Sequence, residues 1–230
     1  ALHPEIMARK VQEVGANIGL ALDGDGDRLI VCDEHGRIVD GDHIMAICAE
    51  ELLHQRRLKK KTLVATIMSN MGLELAMERM GGTLVRTGVG DRYVVECMRR
   101  KGFSFGGEQS GHLVFLDHIT TGDGILASLQ LLAIIKKRKR PLSELATVME
   151  NFPQILKNVR MTSKVATASI SGFSETVQKL EQKLGKGGRI LVRPSGTEPV
   201  IRVMIEGQDQ DEITAMADEL CEVIRKGDRG

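Results

Sequence analysis

A chain of 230 residues exceeds one average domain, and its 42% hydrophobic and 27% charged residues are the composition of a folded globular protein, not of a disordered one. Its 32 basic residues nearly cancel its 31 acidic ones, so no overall field draws it to nucleic acid or an anionic membrane, and partners must be sought at local sites. Cys32, Cys48, Cys97 and Cys221 have no spacing suited to zinc or a redox centre and no signal peptide opens the chain, which predicts a reduced, cytoplasmic setting.

Apolar periodicity predicts a helix over 4–14 closed by Gly15, then a strand over 18–22 that ends in acid and glycine. Strands over 29–32 and 37–39 read as a hairpin around His35 and Gly36, followed by an amphipathic helix over 42–53 and a basic stretch, 56–61, that reads as a linker. From Thr62 strands and helices alternate: strand 63–67, helix 72–80 stopped by Gly81 and Gly82, strand 84–86, helix 92–100 stopped by Gly102, and strands 103–105 and 113–116. That alternation predicts a layered α/β domain. A helix over 123–137 has Thr121 and Asp123 as caps and a basic last turn, and its apolar part, 125–135, is too short to cross a bilayer of about 30 Å. Beyond Pro141 and Pro153 the pattern becomes strand 155–161, helix 174–184, strands 189–193 and 200–206, and helix 211–225, a separate small α+β domain. A helix feeding a lone strand is an unusual opening for a sheet domain, so the chain is expected to begin inside a larger protein.

Three loops carry candidate chemistry. Asp23, Asp25 and Asp27 alternate with glycines directly after a strand, so the loop can curl and set three carboxylates on one hard cation, with magnesium the natural occupant and Arg28 placed to grip a phosphate on the same ion. A calcium EF-hand would also use Asp23, Asp25, Asp27 and Glu34, but its glycine position holds Arg28 and its flanks read as strands. A solvated polar turn is the plain alternative. The segment Arg193-Pro194-Ser195-Gly196-Thr197-Glu198 supplies hydroxyls, backbone N–H groups and, with Arg202 on the following strand, forked cations suited to phosphate; an ordinary hairpin turn is its alternative. Between two apolar strands, Gly106 to His112 presents Glu108 and Ser110 for sugar hydroxyls and His112 for proton transfer, against the plain reading of a polar hairpin with a structural histidine. Arg86-Thr87-Gly88 and Asp91-Arg92 flank another strand-to-helix turn, a usual place for ligand groups. The basic run 136–140 has no aromatic platform beside it and reads as a solvated helix end.

Together the segments 23–28, 86–88, 107–112 and 193–198 resemble the α-D-phosphohexomutase superfamily over nearly the whole chain, and 89–94, 106–112 and 120–124 resemble its phosphoglucosamine mutase branch. The resemblance implies layered α/β/α domains followed by a small α+β domain like the TATA-box-binding protein, divided here as 1–57 (the end of a second domain, with the metal loop), 58–152 (a third, with the sugar loop) and 153–230 (a fourth, with the phosphate loop). It implies Mg2+ on Asp23, Asp25 and Asp27, with Arg28, Arg86 and His112 as catalytic groups. Glu108 and Ser110 would take the sugar, and Arg193, Ser195, Gly196, Thr197 and Arg202 the substrate's non-reacting phosphate. The implied reaction interconverts glucosamine 6-phosphate and glucosamine 1-phosphate through a phosphoserine and a bisphosphate, without nucleic-acid or membrane partners and with a homodimer left open. The family's nucleophile lies in a Ser-His-Asn segment, and none occurs in these 230 residues, so the polypeptide alone is expected to be inactive. The alternatives are a phosphomannomutase or phosphoglucomutase, a non-catalytic phosphosugar-binding module, and a metal-dependent hydrolase.

Overall fold

The computed structural model describes residues 4–162, 167–195 and 198–227. The chain divides into two compact units, Ala1–Asn151 and Phe152–Gly230. The first opens with α1 (Pro4–Val14), closed by Gly15 at positive φ, and an antiparallel sheet of β1 (Ile18–Leu22), β2 (Leu29–Asp33) and β3 (Ile38–Val39) in that order. Gly19 is required where α1 crosses this sheet, because a Cβ there would lie within 2.8 Å of Met7, Val11 and Cys32.

After α2 (Gly41–His54) the basic stretch 56–61 turns inside the first unit, with Arg56, Lys60 and Lys61 at positive φ and Leu58 buried in the core. Then come β4 (Thr62–Thr66), α3 (Met71–Arg79), β5 (Thr83–Thr87), α4 (Asp91–Lys101), β6 (Phe105–Gly107), β7 (Leu113–Phe115) and α5 (Gly124–Arg138). They form a sheet of order β5-β4-β6-β7, parallel except for β7. Every residue of β4 is buried, because helices cover both faces. Leu63 and Ala65 join α2, α3 and α5 in one core, where the Phe105 and Phe115 rings stack at 4.4 Å, and Val64 faces a second core with Val94, Cys97 and Met98 of α4.

Three local expectations shift. The strand read at 103–105 lies at β6, two residues on, so Gly106 and Gly107 pair in the sheet instead of looping. Asp123 alone caps α5, accepting the Leu126 N–H at 2.9 Å. A short helix, α6 (Leu142–Leu145), follows Pro141 and buries both of its leucines.

The second unit holds β8 (Gln154–Arg160), α7 (Phe173–Leu184), β9 (Arg189–Pro194), β10 (Val200–Glu206) and α8 (Gln210–Gly227), with sheet order β8-β10-β9, antiparallel throughout. Val159, Ile201, Val203 and Ile205 meet Leu180, Ile213, Met216, Leu220 and Ile224, which makes a two-layer α+β unit. Among the described residues no helix is long and apolar enough to cross a membrane.

Candidate functional site

The acidic loop between β1 and β2 curls as its glycines allow. Gly26 sits at φ 74, its N–H bonded to the Asp23 carbonyl at 3.2 Å, and one carboxylate oxygen from each of Asp23, Asp25 and Asp27 falls within 4.8 Å of the others. The Arg28 N–H donates to Asp23 Oδ1 at 3.2 Å, and its Nε stands 3.3 Å from Asp23 Oδ2 and 3.5 Å from Asp27 Oδ1. Burial raises the Asp23 pKa, but the Arg28 N–H and guanidinium outweigh it and hold the group below its ordinary value. Asp27 Oδ1 is shielded from solvent and receives no hydrogen bond. An acceptor-only oxygen in that state, beside two more carboxylates, is what a divalent cation would satisfy. Flanking strands, and the bonding of Glu34 to Ser143 instead of the loop, exclude the EF-hand.

The loop between β6 and β7 is joined directly to this acidic loop. Leu29 N–H donates to the Gly111 carbonyl at 3.0 Å, Arg28 and His112 form an antiparallel bridge, and Gly124 N–H donates to the Gly26 carbonyl at 2.9 Å. Gly111 lies at φ 92 with its Cα against the Leu29 backbone, a place that excludes any side chain. His112 is buried; its Nδ1 is 3.1 Å from Asp27 Oδ2, and its Nε2 accepts the Gly122 N–H at 3.1 Å. Glu108 is half-buried, with Oε1 accepting the Gly90 N–H at 3.0 Å, and Ser110 is exposed. The Gly41 N–H at the start of α2 bonds the Gln109 carbonyl at 3.0 Å, so three separate segments fix this loop.

Arg86 is placed differently. From β5 its guanidinium pairs with Glu74 at 3.1 Å and donates to the Ser69 carbonyl at 2.7 Å, bracing the turn before α3. Asp42, fully buried on α2, grips the same turn by accepting the Asn70 N–H at 2.7 Å. Asp42 carried no signal in the sequence beyond an acid in a helix's first turn.

In the second unit, Arg193 on β9 and Arg202 on β10 are cross-strand partners. Arg202 Nε is buried without a hydrogen-bond partner. Ser195 is buried, its N–H bonded to the Val200 carbonyl at 2.7 Å and its Oγ accepting the Glu198 N–H at 3.3 Å. Gly196 and Thr197 lie outside the described residues. A cavity of about 570 Å³ adjoins Arg202, lined also by Asn158, Arg160, Glu198 and Arg225. Arg160 and Arg225 were not anticipated. Asn158 lies directly across from Arg202, so the alternation of β8, which sets Arg160 on the same face as Asn158, could have revealed the first.

Two family models match the chain: phosphoglucomutase/phosphomannomutase, alpha/beta/alpha domain III, over residues 40–152, and the C-terminal domain of the same family over 137–223. The phosphoglucosamine mutase of Desulfotalea psychrophila is 74% identical over 98% of this chain and 50% of its own length, and that of Anaeromyxobacter dehalogenans is 56% identical over 98% and 49%. The chain thus spans about half the length of the curated relatives it matches. Among solved structures, Aspergillus fumigatus N-acetylphosphoglucosamine mutase in complex with GlcNAc-6P and magnesium shares 22% identity at a TM-score of 0.74, over 89% of this chain and 51% of that one. A phosphoglucomutase/phosphomannomutase family protein from Burkholderia thailandensis shares 23% identity at 0.76, over 100% and 51%. By these matches and its layered fold, the chain belongs to the phosphoglucomutase/phosphomannomutase family.

Proposed function

We propose that this chain supplies the metal, sugar and phosphate loops of a phosphoglucosamine mutase that interconverts glucosamine 6-phosphate and glucosamine 1-phosphate in the cytoplasm. The observation that carries the reading is the backbone seam between the acidic loop and the loop of Glu108, Ser110 and His112, which sets three carboxylates beside a loop bearing an acid, a hydroxyl and an imidazole. Support comes from the curated relatives named phosphoglucosamine mutase and from four unpaired, buried thiols, as a reducing compartment allows.

In this reading Asp23, Asp25 and Asp27 hold a divalent cation, with Mg2+ the occupant; when bound, such an ion offsets negative charge on a transferring phosphoryl group. Arg28, already among these carboxylates, adds a second positive charge there. Glu108 and Ser110 accept sugar hydroxyls, with Glu108 oriented by the Gly90 N–H. Arg193, Ser195 and Arg202, with Gly196 and Thr197, take the phosphate that does not react. Arg86 supports this arrangement through the turn before α3. The proposed parts are 1–57, the end of a second domain; 58–152, the third domain; and 153–230, the fourth.

The test is a rate comparison for the protein that contains this chain, on glucosamine, mannose and glucose phosphates with sugar bisphosphate present. Preference for glucosamine 6-phosphate is expected, and preference for mannose or glucose phosphate overturns the assignment. The 230-residue polypeptide alone should bind phosphosugar weakly and turn nothing over, so mutase activity in that polypeptide would contradict this division of labour.

A further inference from the structure

We infer that His112 is a positioning residue that divides the two oxygens of Asp27 between protein and cation, and not a proton shuttle; the inference rests on the proposed metal reading of the acidic loop. The argument begins with the two ring nitrogens. Gly122 can only donate through its backbone N–H, and that N–H meets His112 Nε2 at 3.1 Å, so Nε2 must present a lone pair. A neutral imidazole then carries its one proton on Nδ1, which lies 3.1 Å from Asp27 Oδ2 and donates to it.

Both nitrogens are hydrogen-bonded and the ring is buried; the exposed Asp91 carboxylate, with Oδ2 3.9 Å from Nε2, lies beyond hydrogen-bond distance. Gly122 closes around it: a Cβ at that position would collide with Nε2, Cε1 and Cδ2, so the ring cannot turn toward solvent on that side. A proton shuttle needs a free nitrogen facing its substrate, and this ring offers none. What the ring does accomplish is visible at Asp27. Oδ2 is occupied by the Nδ1–H, while Oδ1 receives no hydrogen bond and has only the Arg28 Nε, 3.5 Å away, as a charged neighbour, so it is the oxygen of that carboxylate available to a cation. A ligating carboxylate held through its second oxygen is a recurrent outer-shell device, and loss of such a partner weakens metal affinity.

The same contact joins the acidic loop to the sugar loop, since His112 follows Glu108 and Ser110 by four and two residues. Cation binding and the conformation of the sugar loop are therefore linked through this side chain as well as through the backbone seam. The sequence showed only a histidine beside an acid and a hydroxyl; its pairing with an aspartate 85 residues away is a product of the fold.

The experiment is isothermal titration of the 230-residue chain with Mg2+ and with Mn2+, for the parent and for His112→Ala, His112→Asn and His112→Gln. The amide nitrogen of Asn falls near the place of Nδ1 and can still donate to Asp27, whereas that of Gln falls near Nε2 and cannot. Ala and Gln should weaken cation binding by about 10- to 100-fold, and Asn should retain most of the parent affinity. A long-range 1H–15N spectrum at neutral pH should show this imidazole protonated at Nδ1. Parent-like affinity in His112→Ala, equal losses in the Asn and Gln variants, or a proton found on Nε2 would each overturn the positioning role while leaving the metal loop standing. Failure of the parent chain to bind either cation would instead remove the metal reading, and this inference with it.

Discussion

Asp42 shows how much a single buried carboxyl can decide. It is fully buried, its Oδ2 takes the Asn70 N–H, and Oδ1 has no partner. Burial first, then the charge of nearby Asp40, pushes its pKa up to about 7. The unfolded chain would release this proton near pH 3.9, so between about 4 and 7 the folded state holds a proton that the unfolded state has lost, and stability must fall as pH rises through that window. Asp42→Asn keeps an acceptor for Asn70 and removes the titration. In urea unfolding, the parent should lose about 3 kcal/mol relative to this variant between pH 4 and pH 7.5, and equal slopes would refute the assignment. Glu51 behaves in the opposite sense. Burial acts to raise its pKa, but Lys137, Gln55 and Arg138 outweigh that and bring it to about 2. Its folded value lies below the unfolded one, so its contribution is complete above about pH 4.3 and disappears as pH falls toward 2. Glu51→Gln should cost roughly 2 kcal/mol at pH 7 and little at pH 2.5, read from thermal melts at the two values. Neither role was legible in the sequence, because Asn70, which Asp42 holds, and Lys137 and Arg138, which hold Glu51, lie on other elements.

Elements were far more legible than their contacts. The helices α1, α2 and α5 and the strands β1, β8 and β10 follow apolar periodicity, with Gly15, Gly81 and Gly102 at positive φ where the expected helices stop. β6 is the instructive failure. Its glycines argue for a loop on propensity, and tertiary packing overrides that preference. A Cβ on Gly106 would lie 2.6 Å from the Val64 carbonyl and 2.9 Å from Met98 Sδ, so the backbone of β6 fits between β4 and α4 only without a side chain. Gly106→Ala should therefore destabilise the first unit by about 1–3 kcal/mol through overpacking, despite the better strand propensity of alanine. A gain in melting temperature would show that the contact is loose. The same logic applies to α6 and the turn at 56–61, which short polar sequence describes as connectors although Leu58, Leu142 and Leu145 are core residues.

At the scale of the whole molecule, the chain divides after Asn151, close to the change of pattern at Pro141 and Pro153, where alternating strands and helices give way to paired strands with two long helices. What no periodicity could show was that residues 23–28 and 107–112 share a backbone seam, since hydrogen bonds between distant loops leave no local signature. The second body has its own core, built from Val159, Ile201, Val203 and Ile205 beneath α7 and α8, and it has no residue in common with the two cores of the first unit. Leu220 lies at its centre with no exposed surface. Truncation to alanine would leave a cavity in a sheet covered by helices on one face, a cost of about 3 kcal/mol. If each core is its own cooperative unit, Leu220→Ala should speed amide exchange throughout β8, β9, β10, α7 and α8 by the factor that this energy implies, roughly 150-fold, while β4 keeps the protection it has in the parent. Equal acceleration in β4 would mean that the chain unfolds as one cooperative block, and the two bodies would then be divisions of shape without being divisions of stability.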